Sequence, residues 1–211
     1  MIIGIVGFIG SGKGTVGDYL ESNWQFTKDS FAKPLKDAVA LLFGWDREMI
    51  EGSTKESREW REKNDYYWTK VMGKPMSPRL ALQLFGTECM REVFHKDFWT
   101  ASLAKRCNSN IFNVVVTDCR FKNEIKCIRD LGGNIIQVKR GDDPDWVNTY
   151  KELMSNHNYD KIDHLRETGY IPHVSETDWV GSLPDFIIYN NGSLDDLYIE
   201  VDRAMTIIQN M

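Results

Sequence analysis

The sequence of 211 residues predicts a three-layer α/β fold, a mainly parallel five-stranded sheet with helices on both faces. Three observations predict it. Short strand candidates recur at residues 1–6, 26–31, 111–118, 134–139 and 185–189. Stretches with helical apolar spacing separate most of them, the alternation that builds β-α-β crossovers and a parallel sheet. The first strand candidate runs straight into Gly7-Phe8-Ile9-Gly10-Ser11-Gly12-Lys13-Gly14-Thr15, a glycine-rich turn opening a helix.

That turn is built for a phosphate. Glycines let successive backbone N–H groups curl round an anion, while the new helix aims its unpaired N–H groups and positive dipole end at it. Lys13 adds a mobile cation able to follow charge on β- and γ-phosphates. The motif is a P-loop with one departure: Gly14 stands where a Ser or Thr usually holds Mg²⁺, and the hydroxyl comes at Thr15.

After the loop, Val16, Tyr19 and Leu20 space a first helix over 15–24. Pro34 opens the next helix and Gly44 closes it, with Lys36 in the first turn; a lysine there is either solvated or, at the carboxyl end of a strand, a ligand group. Residues 45–77 are polar, charged and irregular, with Trp60, Tyr66, Tyr67 and Trp68. They read either as a mobile lobe over a substrate or as a solvated helix pair with aromatic anchors. A strong helix follows over 78–90, placing Arg79 and Gln83 four residues apart on one face, as a phosphate and a base edge would require or as a plain surface pair would show. Another helix covers 97–107.

The strand at 111–118 ends in Asp118, either at the place where P-loop proteins hold Mg²⁺ or its waters or as a plain cap of the turn; Arg120 and Glu124 follow at once. A helix over 122–131 stops at Gly132-Gly133 and leads to the strand at 134–139. Between 140 and 183 the apolar periodicity fails, and a stretch of that length inside a domain is usually functional or mobile. The last strand gives way to Asn190-Asn191-Gly192, and Ser193 with Asp196 forms a capping box for the final helix.

A hydrophobic fraction of 42% and a charged fraction of 27% suit a single soluble domain spanning 1–211. The net charge of −5 argues against a nucleic-acid polymer as partner, and no run is apolar enough for a membrane, so a cytoplasmic location is expected. Cys89, Cys107, Cys119 and Cys127 lack disulfide or zinc spacing and read as reduced thiols.

The loop resembles that of adenylate kinase-type nucleoside monophosphate kinases. Over nearly its whole length the chain resembles the deoxynucleoside monophosphate kinases of T4-like bacteriophages. The resemblance rests on the P-loop, Ala32-x-Pro34-x-Lys36-Asp37-Ala38, Arg79-x-x-x-Gln83-x-x-Gly86-Thr87-Glu88, Thr117-Asp118-x-Arg120 with Glu124, His173-x-Ser175-Glu176 and Asn190-x-Gly192-Ser193-Leu194. It implies a P-loop kinase fold with a monophosphate-binding lobe at 31–108 and a lid within 140–183. It implies transfer of the ATP γ-phosphoryl group to deoxynucleoside 5′-monophosphates, with ATP and Mg²⁺ as cofactors. Gly10, Ser11, Gly12, Lys13, Gly14 and Thr15 would cradle ATP, with Asn190 and Gly192 near adenine. Lys36, Arg79, Gln83, Thr87, Asp118, Arg120 and Glu124 would surround the monophosphate. Lys13, Asp118, Arg120 and Arg140 would act in catalysis, Arg140 in the lid together with a residue such as Arg166. The metal would sit on Asp118 through water and on Thr15. Self-pairing into a homodimer is left open, as are two other readings: a kinase of dephospho-coenzyme A or phosphomevalonate type, and an ATP-controlled binding module that transfers nothing.

Overall fold

The computed structural model describes residues 1–109 and 112–210. The chain begins with β1 (Ile2–Val6), α1 (Lys13–Asn23) and β2 (Phe26–Asp29), followed by α2 (Lys33–Phe43), α3 (Arg47–Glu51), α4 (Lys55–Glu62), α5 (Tyr66–Met72) and α6 (Pro78–Gln83). A π-helical segment, Leu84–Phe94, continues α6 and precedes α7 (Phe98–Asn108), β3 (Asn113–Val116), α8 (Lys122–Asp130) and β4 (Asn134–Lys139). Then come α9 (Trp146–Ser155), α10 (Tyr159–Glu167), α11 (Val174–Thr177), β5 (Phe186–Tyr189) and α12 (Leu194–Gln209). Ile111, the expected start of the third strand, lies outside the described residues. The chain divides into two compact units, Met1–Ser30 with Ala104–Met211, and Phe31–Leu103.

The first unit holds the sheet, in the order β2-β3-β1-β4-β5 with every pair parallel. Alternation along the strands sorts its two faces. Ile3 and Ile5 of β1, with Ile136 and Val138 of β4, join Val16 and Leu20 of α1 and Leu197, Val201 and Met205 of α12 in one buried cluster. Gly4, pointing the other way, lies against Ile135, Cys119 and Ile128 of α8, so helices cover both faces. Each fully buried Ile or Leu contributes about 1.5–3 kcal/mol of transfer free energy, which makes this cluster the main support of the strands that carry the P-loop. Arg106 clamps Asp29 at the end of β2 through two bonds of 2.9 and 3.0 Å. Because all strands run the same way, the segments after β1, β3, β4 and β5 emerge at one edge of the sheet: the P-loop, Asp118, Arg140 and Asn190.

The second unit is helical. Residues 45–77, which read either as a mobile lobe or as a solvated helix pair, form α3, α4 and α5, each short and each begun by a side-chain cap: Asp46, Thr54 and Asp65. The aromatic anchors are real. Phe43 stacks on Trp45 at 4.5 Å, and Trp60 meets the Trp45 edge at 6.2 Å. Asp65 accepts from Trp68 N and Trp45 Nε1, both at 2.9 Å, and those hydrogen bonds, Trp68 first, hold its carboxyl below the usual range. The single helix expected over 78–90 is corrected: α6 ends at Gln83 and the chain widens into π-helix to Phe94. There the buried Trp99 Nε1 donates to Gly86 O at 2.9 Å, an acceptor inside the widened stretch.

Residues 140–183, which lack a sustained apolar period, fold into α9, α10 and α11. Tyr150, Ile162 and Ile171 are buried, and Arg166 donates to Thr177 Oγ1 at 3.1 Å with its guanidinium 6.0 Å from the Tyr150 ring centroid. Arg166, expected as a lid cation, thus joins α10 to α11. Among the described residues no helix is long and apolar enough to cross a membrane.

Candidate active site

The P-loop takes its curvature from positive-φ glycines. Gly7 at φ 150° has Val138 O only 2.4 Å from where a Cβ would stand, and Gly12 at φ 105° has Asn190 Nδ2 at 2.5 Å, so neither position has room for a side chain. Ser11 N donates to Phe8 O at 3.2 Å, and Val16 N to Gly12 O at 3.0 Å, which closes the loop and starts α1. No side chain caps that helix start and no acid lies in its first turn. Unpaired N–H groups at the start of an eleven-residue helix, with glycines before them, make an anion site.

Lys13 folds back over this loop, its ammonium donating to Gly7 O at 2.7 Å and to Phe8 O at 2.9 Å. Burial pulls its pKa below the ordinary lysine value, the Arg120 charge adds to the lowering, and Glu176 opposes it. Lys13, Arg120 and Glu176 therefore share one electrostatic neighbourhood. Arg120 Nη1 pairs with Glu176 Oε1 at 2.6 Å.

Asp118 lies half-buried just beyond β3. Glu124, expected around the substrate, is almost wholly buried, and its Oε2 accepts Arg120 N at 2.8 Å and Phe121 N at 3.1 Å. That is the acid half of a capping box: it satisfies orphan donors at the start of α8 and holds the turn that presents Arg120. Asn190 follows the last sheet strand, its N–H donating to Lys139 O at 2.7 Å and its side-chain Nδ2 to Ser11 O at 2.9 Å, so it braces the P-loop from behind. Gly192 backs the Ser193–Asp196 capping box of α12. Arg140 is exposed after β4.

The remaining expected residues belong to the helical unit. Lys36 Nζ pairs with Glu51 Oε1 at 2.5 Å, and Arg47 holds the other oxygen of Glu51 at 2.7 Å and Asp37 at 2.6 Å. Burial raises the Glu51 carboxyl, but the bonds from Lys36 and Arg47 outweigh it and leave the pKa below the usual value. Arg79, exposed, lies 3.4 Å from Glu62, and Gln83 and Thr87 are exposed farther along α6 and the π-helix.

The donors available to a metal are few. Among the described residues no group of three or more His, Cys, Asp or Glu converges. A Thr15 hydroxyl and an Asp118 carboxylate suit an ion that keeps most of its waters and takes other oxygens from phosphates, which is the habit of Mg²⁺ rather than of a caged Ca²⁺ or Zn²⁺.

Residues 52–201 match the family profile described as deoxynucleotide monophosphate kinase. The chain belongs to the deoxynucleotide monophosphate kinase family. A protein of Acanthamoeba polyphaga mimivirus bearing that family's name is 33% identical over 152 residues, covering 66% of this chain and 74% of its own. The deoxynucleotide monophosphate kinase of Escherichia phage RB69 is 23% identical over 265 residues, covering 97% and 99%. Among solved structures, TT1252 from Thermus thermophilus superposes with a TM-score of 0.48 at 19% identity, covering 100% of this chain and 96% of that one.

This kinase is thus a nucleotide-handling phosphotransferase on an α/β P-loop fold. Sequence reasoning passed over four of its charged groups. Glu51 and Arg47 stand at i,i+4 spacing, a signal that was there to read. Arg61, half-buried, donates to Ile50 O at 3.4 Å, and its pKa is lowered by burial and then by Arg79. Glu176 belongs to a motif, but nothing local announces its pairing with Arg120, 56 residues away.

Proposed function

We propose that this kinase transfers the γ-phosphoryl group of ATP to deoxynucleoside 5′-monophosphates, producing ADP and deoxynucleoside diphosphates for DNA precursor synthesis in the cytoplasm, the host's if the chain is viral. One observation carries the donor half: an uncapped helix start behind a glycine loop, with the Lys13 ammonium lying across it and Arg120 electrostatically coupled to it. Family membership supports a nucleotide acceptor over dephospho-coenzyme A or phosphomevalonate.

In the reaction an acceptor phosphate oxygen bonds to the γ-phosphorus as the bond to the β,γ-bridging oxygen breaks. The loop amides and Lys13 hold the donor phosphates, and Lys13 with Arg120 offsets charge building on the transferred group. Lys36, Arg79 and Gln83 are assigned to the acceptor, Thr87 to its neighbourhood, and Arg140 to excluding water. Asp118 and Thr15 would hold Mg²⁺, largely through water; when bound, the ion neutralises phosphate charge. Glu124 and Asn190 act here by positioning, the first through the Arg120 turn and the second through the loop.

Coupled ADP release tests this with the four deoxynucleoside monophosphates and their ribose counterparts. At least one deoxynucleotide is expected to stimulate release far above the ATP-only rate. Indifference to all four refutes the assignment.

A further inference from the structure

The motif His173-x-Ser175-Glu176 has no part in the reading so far, yet its carboxylate touches an arginine assigned to the phosphate site. Glu176 stands on α11, a single turn capped by His173, whose Nδ1 accepts from Ser175 N. The backbone around it is fastened on every side. Thr177 is fully buried and receives Arg166; Asp178 Oδ2 accepts Lys122 N at 2.7 Å; the Trp179 ring lies 4.9 Å from Phe8 of the P-loop. Its carboxylate, on a side chain 25% exposed, lies 2.6 Å from Arg120, whose side chain is 47% exposed.

A carboxylate on such an arginine occupies a place where a phosphate oxygen would bind, because both use the same guanidinium fork. We propose that Glu176 sets the phosphate affinity of this kinase, as a resident anion on Arg120 that an incoming nucleotide phosphate must displace. The proposal rests on the reading that this loop binds nucleotide phosphates. Glu176 also opposes the Arg120 charge felt at Lys13, so the unloaded site is already part-neutralised. Weak anions such as inorganic phosphate then gain little by entering, whereas a polyphosphate, held at the same time by the loop amides and Lys13, has enough further contacts to clear the carboxylate.

Glu176→Gln removes the competing charge while keeping the side-chain length. Calorimetric titration of the full chain is expected to show ATP and inorganic phosphate each binding about three- to fivefold tighter than to wild type, the scale of a part-exposed ion pair. In turnover, KM for ATP falls by a similar factor while kcat does not rise. A merely structural role predicts the reverse, a raised KM. Should Glu176→Gln not fold, Glu176→Asp draws the carboxylate back by one methylene and is expected to tighten binding by a smaller factor. Wild-type protein that binds ATP, with folded variants binding no more tightly, overturns the proposal alone. Wild-type protein that binds neither ATP nor phosphate overturns the nucleotide reading and this proposal with it.

Discussion

Replacing Gly12 with alanine tests how the P-loop is held, and the structure sets its cost. At φ 105° an L-residue is strained by about 1–2 kcal/mol or more. The new Cβ would stand 2.5 Å from Asn190 Nδ2, so the amide must swing away and give up its 2.9 Å bond to Ser11 O, about 1 kcal/mol further. Gly12→Ala should therefore destabilise by about 2–4 kcal/mol. Asn190→Ala alone loses only the bond, about 1 kcal/mol. In the double variant the clash has gone and the bond can be lost only once, so the pair should cost little more than Gly12→Ala, a coupling of about 1 kcal/mol. Urea unfolding followed by circular dichroism, with midpoints compared at unchanged slope, measures all three. Strictly additive costs, or a Gly12→Ala cost under about 1 kcal/mol, would show that Asn190 does not brace the loop.

Other expectations follow from the same geometry. Lys13→Ala should lower turnover by about 10²–10³ or more while the far-ultraviolet spectrum is unchanged; near-normal turnover removes Lys13 from the reaction. Arg79→Ala should raise KM for the monophosphate by about tenfold or more, the loss of a charge-assisted bond, yet move the unfolding midpoint very little, since its Glu62 pair is exposed. An unaltered KM argues that Arg79 is only a surface residue. Burial raises the thiols of Cys107, Cys119 and Cys127, the last from 9.0 to about 11. A folded pKa above the unfolded one gives stability that is complete below pH 9 and is lost as pH rises through the folded value, so the urea midpoint should fall between pH 9 and 11. A midpoint that rises over that interval contradicts the burial of these thiols.

Much of the architecture was legible because it is written in near neighbours. The β4 strand has the bounds its alternating apolar run suggests, Asn134–Lys139, and α12 begins at the Ser193–Asp196 capping box. The caps at Asp46, Thr54 and Asp65 were equally local, but a dense run of charges hid them and residues 45–77 read as irregular. The change to π-helix at Leu84 had no such signal. It depends on the widened backbone around Gly86, whose carbonyl meets Trp99 and whose missing side chain leaves room for Leu35.

By itself the sequence determined the strand–loop–helix at the start of the chain, the five strands and most of the charged residues at their ends, since glycine φ values, capping and apolar period act over a few residues. The tertiary structure alone decided what those charges face. Glu124, for all its charge, is buried by the segments packed round it; Asn190 donates to Ser11; Arg120 meets Glu176. Each of these depends on strand order and on how distant segments pack, and no short-range pattern encodes a hydrogen bond between residues more than fifty positions apart.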